Sequence, residues 1–155
     1  MGESRDYNLV RQTLGRALHL CFRPRYRGQE SVPIDGPLIL AANHLSHIDP
    51  AFIMTATSRE VSYLSKQEHF EGRIRGALFG RMGVIPVDRD GDASDALDAA
   101  EVILRDGGAV GIFPEGTRSR DGQMGPGRTG AARLAAATGA AVVPVATRET
   151  DRVIP

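Results

Sequence analysis

Two histidines and one carboxylate stand close together in the stretch NHLSHIDP, at His44, His47 and Asp49. Histidine is the side chain that most easily serves as a general base near neutral pH, and a carboxylate on its other ring nitrogen fixes the tautomer and stabilises the imidazolium that forms. The pattern therefore indicates a base that can activate a hydroxyl group. On a continuous helix His44 and Asp49 would point about 140° apart, so they can meet only across a turn. Pro50 supplies that break, and we predict that Asp49 is the N-cap of the following helix.

The spacing of these residues leaves two questions open. Asp49 could serve only as a helix cap, with both histidines as ordinary loop residues. His47 could also pair with Asp49 if the loop stays extended, because residues two apart share a face of an extended chain. The residues alone do not choose between His44 and His47.

A second set of residues has the composition of a phosphate site. Arg89 ends the run GVIPVDR, and the stretch FPEGTRSR carries Glu115, Gly116, Thr117 and Arg118 directly after an apolar run. Glycine lets backbone N–H groups approach a ligand closely, and arginine binds phosphate oxygens in bidentate fashion. We therefore predict that these residues bind one phosphate and a neighbouring hydroxyl group.

The same part of the chain allows two other interpretations. FPEGTRSR could be a polar turn with Asp121 and Gly122 at its tip. The run GPGRTG at residues 125–130 matches the GxGxxG pattern of dinucleotide-binding oxidoreductases. That fingerprint requires its glycines to follow directly on the first strand, whereas here a polar loop intervenes, and the spacing disfavours this alternative.

Short apolar runs alternate with helical patterns after residue 37. We predict strands over residues 38–42, 61–64, 84–87, 109–113 and 141–146, and helices over residues 50–57, 69–80, 94–105 and 129–138. Such alternation predicts an α/β fold with a mostly parallel central sheet flanked by helices, in one domain over residues 1–155. Because ligand sites collect at the carboxyl ends of parallel strands, the two histidines, Arg89 and the EGTR residues are expected at one edge of the sheet.

Residues 5–22 precede this alternation and form a predicted amphipathic N-terminal helix. The predicted apolar face comprises Leu9, Val10, Thr13, Leu14, Ala17, Leu18 and Cys21, and the opposite face comprises Arg11, Gln12, Gly15, Arg16 and His19. The apolar face could pack on the core or lie in a lipid interface. Interfacial helices usually carry bulky aromatic residues, so the pattern favours core packing.

The composition excludes several classes of protein. The chain has 155 residues, of which 41% are hydrophobic and 25% charged, and this suits one globular domain with a core. Its formal net charge of zero disfavours nucleic acid as a partner, and its one cysteine excludes an internal disulfide. We find no run of about 18 apolar residues, no signal-peptide pattern and no metal-binding motif, so we expect no transmembrane helix and no metal.

Four short sequence blocks resemble those of the glycerolipid acyltransferases in their order and approximate spacing. These blocks are Asn43-His44 with Asp49, GVIPVDR, FPEGTR and the late run VVPV. The resemblance covers the chain from about Tyr26 to its C-terminus and is greatest to the bacterial 1-acylglycerol-3-phosphate acyltransferases. The chain departs from the family at Gly127 and Arg128, where an aromatic residue and a lysine are usual.

The resemblance implies a role for each candidate residue. His44 resembles the general base that deprotonates the acceptor hydroxyl of a lysophospholipid, Asp49 resembles its orienting partner, and position 47 is variable in the family. Arg89 and the EGTR residues resemble the site for the glycerol phosphate head group. The implied reaction transfers a fatty acyl group directly from acyl-CoA or acyl-carrier protein, without a cofactor, and gives phosphatidic acid.

The resemblance also implies partners and a location. We expect lysophospholipid and acyl thioester substrates and peripheral attachment to the inner, cytoplasmic face of a membrane. The family usually continues beyond the last predicted strand, so we expect the chain to lack its C-terminal part. Two alternatives stay open: an acyltransferase for another lysolipid or a glycolipid, and a catalytically silent relative that binds lipid. The sequence indicates no oligomeric state.

Overall fold

The strands of the chain form one parallel sheet. The computed structural model describes residues 5–66, 83–87 and 93–153, and its strands are β1 (Leu38–Ala42), β2 (Val61–Lys66), β3 (Val84–Val87), β4 (Ala109–Ile112) and β5 (Ala141–Val145). Their order across the sheet is β3-β2-β4-β1-β5, and each neighbouring pair is parallel. All five predicted strands are present, and the predicted α/β class with a parallel sheet is confirmed.

Four α-helices accompany the sheet in the described residues. They are α1 (Arg5–Phe22), α2 (Asp49–Ala56), α3 (Ala93–Arg105) and α4 (Gly130–Thr138), and short 3-10 helices occur at Gln29–Ser31 and Thr150–Arg152. The helices predicted over residues 50–57, 94–105 and 129–138 are confirmed, with ends shifted by at most one residue. The helix predicted over residues 69–80 and the candidate Arg89 lie outside the described residues.

β1 is buried on both faces of the sheet. Leu38 and Leu40 pack on the face covered by Ile53 of α2, whereas Ile39 packs on the opposite face with Leu104 of α3. Full burial of each such side chain contributes about 1.5–3 kcal/mol, so a continuous apolar run suits a strand in this position. The burial of β1 also fixes the starting point of the loop that carries His44.

α1 packs on the core next to α2, as expected. Tyr7 and Leu18 of α1 are buried, and Leu18 contacts a cluster that includes Ala51 and Phe52 of α2. The Tyr7 hydroxyl also accepts a hydrogen bond from the backbone N–H of Val61, at 3.0 Å. The helix is therefore attached both to α2 and to the start of β2.

The face of α1 that packs differs in part from the predicted one. Leu9, Ala17 and Cys21 are exposed, whereas Arg11, assigned to the polar face, is half-buried and donates to the carbonyl oxygen of Thr57 at 2.7 Å. The prediction was right for Leu14 and Leu18, which pack on α2, and wrong for Arg11, because the aliphatic stem of arginine can cover a core while its guanidinium finds a partner. Within the described ranges, no helix has both the length and the apolar character needed to cross a membrane.

Candidate active site

The loops that follow β1 and β4 lie against each other. The two strands are parallel neighbours with Ala41 opposite Ile112, so their carboxyl ends open at the same edge. The backbone N–H of His44 donates to Oε1 of Glu115 at 3.0 Å, and the carbonyl oxygen of His44 accepts from the N–H of Ser119 at 2.7 Å. The prediction that the segments after the first and fourth strands lie close together is therefore confirmed. Arg89, predicted at the same edge of the sheet, lies outside the described residues.

His44 and Asp49 form a hydrogen-bonded pair within the first loop. Nδ1 of His44 lies 2.9 Å from Oδ2 of Asp49, and Asp49 is fully buried. The same oxygen accepts from the backbone N–H groups of Leu45 and Ser46, each at 2.7 Å. The other oxygen, Oδ1, accepts from the Thr150 hydroxyl at 2.6 Å. The structure thus brings together the two residues that the sequence proposed as a dyad.

Asp49 holds this loop in a different way from the one predicted. It is the first residue of α2, Ile48 occupies the N-cap position without a side-chain cap, and Pro50 follows within the first turn. The predicted N-cap was therefore wrong by one residue. The Asp49 carboxylate turns back and accepts the N–H groups of the preceding loop, which closes the bend between His44 and Asp49.

The surroundings of Asp49 favour its ionised form. Burial by itself raises the pKa of a carboxyl group, but hydrogen bonds from His44, Thr150, Ser46 and Leu45 outweigh that effect and hold the pKa of Asp49 below its ordinary value. An anionic Asp49 accepts a hydrogen bond from the Nδ1–H of His44. In the neutral imidazole this leaves Nε2 unprotonated, with a free lone pair. This is the tautomer that a general base requires.

The imidazole of His44 is also held by an aromatic neighbour. Its ring stacks on Phe113 with centroids 4.0 Å apart and an interplanar angle of 18°, and Phe113 in turn lies 6.2 Å from the ring of buried Tyr63. The His44 side chain retains 18% of its accessible surface. His47 lies exposed on the loop, and the Asp49 carboxylate contacts His44 instead. The geometry selects His44 as the partner of Asp49.

Both oxygens of Glu115 are used inside the protein. Oε1 accepts from the N–H of His44, and Oε2 accepts from the N–H of Gly125 at 2.8 Å, with Glu115 itself buried. The carboxylate therefore connects the loop after β1 to both ends of the loop after β4. The role of Glu115 as a substrate-binding residue stays a prediction, and a bracing role is the one its contacts support.

A cleft of about 450 Å³ lies beside this brace and carries three arginines. Thr117, Arg118, Arg120 and Arg128 line it, and Arg118 is half-buried without a hydrogen bond or ion pair to any residue in the described part of the chain. Gly116 has a φ of +71°, and a Cβ there would also meet the Arg128 side chain. Glycine is therefore favoured at position 116, and three guanidinium groups, unpaired among the described residues, outnumber the two carboxylates that line the cleft, which suits an anion.

Sequence reasoning missed the contacts that reach this site from the end of β5. The Asn43 side chain donates to the carbonyl oxygen of Thr147 at 3.0 Å and accepts from its N–H at 2.7 Å. Asn43 stood in a recognised block, but nothing in the pattern indicated Thr147 as its partner or Thr150 as the partner of Asp49. The loop that carries His44 is consequently bound to the segment after β5 as well as to the loop after β4.

The geometry gives no support to a nucleotide site at the GxGxxG run. β4 ends at Ile112, and Gly125 follows only after the loop that contains Glu115 and Arg118. The glycines therefore do not lie directly at a strand end, as a dinucleotide-binding turn requires. In the parts of the chain that the structure describes, no group of three His, Cys, Asp or Glu side chains is placed to hold a metal ion.

Residues 23–148 match the sequence model of the Acyltransferase family, and this range contains the site described above except for Thr150. The chain belongs to this family. An acyltransferase named 1-acyl-sn-glycerol-3-phosphate acyltransferase LPAT1, chloroplastic, from Arabidopsis thaliana is 34% identical over 137 residues, which cover 86% of this chain and 38% of that protein. A 1-acyl-sn-glycerol-3-phosphate acyltransferase from Borreliella burgdorferi is 32% identical over 128 residues, which cover 80% of this chain and 50% of that protein.

A solved structure of an acyltransferase shares the fold. The 1-acyl-sn-glycerophosphate (LPA) acyltransferase PlsC from Thermotoga maritima superposes with a TM-score of 0.81 and 25% sequence identity, over 96% of this chain and 60% of that one. The chain spans about half or less of the length of the two acyltransferase relatives named above. The resemblance to 1-acylglycerol-3-phosphate acyltransferases inferred from the sequence is confirmed at the level of family and fold.

Proposed function

We propose that the chain carries the catalytic centre of an O-acyltransferase that moves a fatty acyl group from an acyl thioester to the free hydroxyl of 1-acylglycerol-3-phosphate, giving phosphatidic acid. The observation that carries this proposal is the His44–Asp49 pair, with 2.9 Å between Nδ1 and Oδ2, in loops that adjoin an arginine-lined cleft. A general base beside an anion site suits an acceptor that has both a hydroxyl and a phosphate. The names of the relatives agree with that acceptor.

The proposed reaction proceeds in one transfer. Nε2 of His44 takes the proton of the acceptor hydroxyl as its oxygen attacks the thioester carbonyl, and Asp49 stabilises the imidazolium that forms. The tetrahedral intermediate collapses, the carbon–sulfur bond breaks, and the imidazolium returns its proton to the departing thiolate. No acyl-enzyme and no cofactor enter this scheme.

The arginine cleft is the proposed site of the acceptor phosphate. Arg118 is available to form charge-assisted hydrogen bonds, and Arg120 and Arg128 add positive charge around the same cleft. Binding the phosphate there holds the glycerol hydroxyl near His44, so that binding energy is converted into orientation. Arg89 is proposed as a further phosphate ligand on the sequence pattern alone.

We propose further that the protein works at a membrane surface, at the inner face, where its lipid substrate resides. α1 supports this, because Leu9 and Leu20 expose 66% and 83% of their surfaces and Phe22 is also exposed. Exposed apolar side chains on one helix suit contact with a lipid interface. Acyl-CoA and acyl-carrier protein are both suitable donors under this proposal.

One assay tests the function. The chain is incubated with acyl-CoA or acyl-carrier protein as donor, and thiol release is measured with lysophosphatidic acid, with monoacylglycerol and without acceptor. We expect release that depends on the acceptor and is greatest with lysophosphatidic acid. Greater turnover of monoacylglycerol would favour a phosphate-free acceptor, and lipid binding without thiol release would favour a catalytically silent relative.

A further inference from the structure

The short segment after β5 reaches the buried end of the His44–Asp49 pair. Thr150, separated from Asp49 by 101 residues, donates its hydroxyl to Oδ1 of Asp49 at 2.6 Å. We propose that Thr150 is a positioning residue for acyl transfer, which fixes the Asp49 carboxylate so that Oδ2 faces His44. This inference rests on the proposed function, since it assigns Thr150 a part in the same reaction.

The two oxygens of Asp49 divide their hydrogen bonds unequally. Oδ2 accepts from His44, Leu45 and Ser46, whereas Oδ1 accepts from Thr150 alone among the described residues. Asp49 and Thr150 are both buried, so water does not readily replace the hydroxyl. Without it, Oδ1 would be a buried charged acceptor lacking a partner, and the carboxylate would lose the contact that resists its rotation.

The backbone brings the Thr150 hydroxyl to Asp49. The segment is first tied to the loop after β1 through the Asn43–Thr147 contacts. Glu149 then adopts a left-handed conformation with a φ of +62°, and a 3-10 turn begins at Thr150, where the N–H of Val153 donates to its carbonyl oxygen at 3.1 Å. The hydroxyl is therefore placed by chain geometry, and a serine at position 150 would present the same group.

The expected effect concerns the chemical step and not substrate binding. Thr150 does not line the arginine cleft, and its hydroxyl is neutral, so its removal leaves the charge of the acceptor site unchanged. The hydroxyl lowers the pKa of Asp49 and so favours the anion that orients His44. Loss of a hydrogen bond to a charged group corresponds to about a 10- to 100-fold effect, and we expect it in kcat because this bond holds Asp49 and His44 in the geometry that proton transfer requires.

Kinetics of Thr150 variants test this role. Thr150→Val keeps the shape of the side chain without its hydroxyl, and we expect kcat to fall about 10- to 100-fold while KM for the acceptor stays within about threefold. Thr150→Ser should restore most of kcat. Thr138→Val is the matched control, because the Thr138 hydroxyl donates to the carbonyl oxygen of Leu134 and accepts from the N–H of Ala140, both at the end of α4 and outside the site loops. Thr150→Ala replaces Thr150→Val if the latter does not fold.

A second readout does not depend on activity. Proton NMR of the free protein should show a downfield imidazole N–H resonance from the His44–Asp49 hydrogen bond, retained in Thr150→Ser and Thr138→Val and shifted or lost in Thr150→Val. Normal kcat in Thr150→Val, or a fall in kcat with an unchanged resonance and no rescue by serine, would overturn the positioning role. Absence of acyl transfer by the wild type would overturn the proposed function instead, and the resonance would still report on Thr150.

Discussion

The backbone N–H of His44 donates to Oε1 of Glu115 across 3.0 Å, and this bond joins the loop after β1 to the loop after β4. The position of the proposed base therefore depends on a carboxylate 71 residues away in the chain. Asp49 orients the imidazole ring, whereas Glu115 positions the backbone from which that ring extends. Substitutions at the two carboxylates should have different consequences.

Glu115→Gln should weaken both stability and turnover. Each Glu115 oxygen accepts one backbone N–H, from His44 and from Gly125. Glutamine has a single acceptor oxygen, so one partly buried N–H would face an amide NH2 group, at a cost of about 1–3 kcal/mol in the free energy of unfolding. We also expect kcat to fall with little change in KM for the acceptor. Urea unfolding measures the change in stability, and thiol release measures kcat and KM.

The matched control for this substitution is Glu101→Gln. Glu101 forms a surface pair with Arg105 on α3 and belongs to neither loop, and loss of this pair should change stability by less than about 0.5 kcal/mol. If Glu115→Gln raises only KM for lysophosphatidic acid, Glu115 contacts the glycerol part of the acceptor and the bracing role is wrong.

Arg118→Ala should raise KM for the phosphate-bearing acceptor. Arg118 is half-buried in the cleft, and a charge-assisted bond to phosphate corresponds to about a 10- to 100-fold change in binding. Steady-state kinetics with lysophosphatidic acid should show this increase, while the slow reaction of monoacylglycerol should be unaffected. Arg105→Ala, on the surface of α3, serves as the control. A change confined to saturation by the acyl donor would contradict the phosphate site.

The stabilising effect of Asp49 should depend on pH in a defined direction. Because the pKa of Asp49 is lowered in the folded chain, the stability contributed by its anion is present above the ordinary value of 3.8 and is lost as the pH falls through the lower folded value. The difference in unfolding free energy between wild type and Asp49→Asn should therefore narrow as the pH falls from about 5 to about 3.

Urea unfolding at constant ionic strength measures this difference. Asp35→Asn, in an exposed loop, is the control and should show no comparable narrowing. If the difference in unfolding free energy between wild type and Asp49→Asn instead widens toward acid pH, the hydrogen bonds to Asp49 do not favour its ionised form.

The sheet could be predicted because its signals are local. The run LILAA at β1 is apolar on both faces, and the structure gives β1 the predicted bounds Leu38–Ala42. The face of α1 could not be predicted in the same way. Leu18 of the predicted stripe is buried, but Leu9 and Ala17 of that stripe are exposed, and packing buries Tyr7 and part of Arg11 in their place. Hydrophobic periodicity does not register the aliphatic stem of an arginine.

The site was predicted where one stretch held the interacting residues and missed where distant stretches meet. His44 and Asp49 are five residues apart, so their spacing carried a signal. Thr147 bonds Asn43 across 104 residues, and Thr150 bonds Asp49 across 101. Threonine is common in loops and leaves no periodic pattern, so these partners emerge only from the fold. Glu115 was recognised, but its two backbone N–H donors were not.

The most direct test of the central claim compares His44→Ala with His47→Ala in the thiol-release assay with lysophosphatidic acid. The imidazole of His44 is the one that Asp49 holds, so its loss should lower kcat by about 10²–10⁴-fold, the usual contribution of a positioned general base. His47→Ala, on the same loop, should retain most of the wild-type turnover. Equal losses in the two variants, or full activity in His44→Ala, would contradict the assignment of His44 as the base.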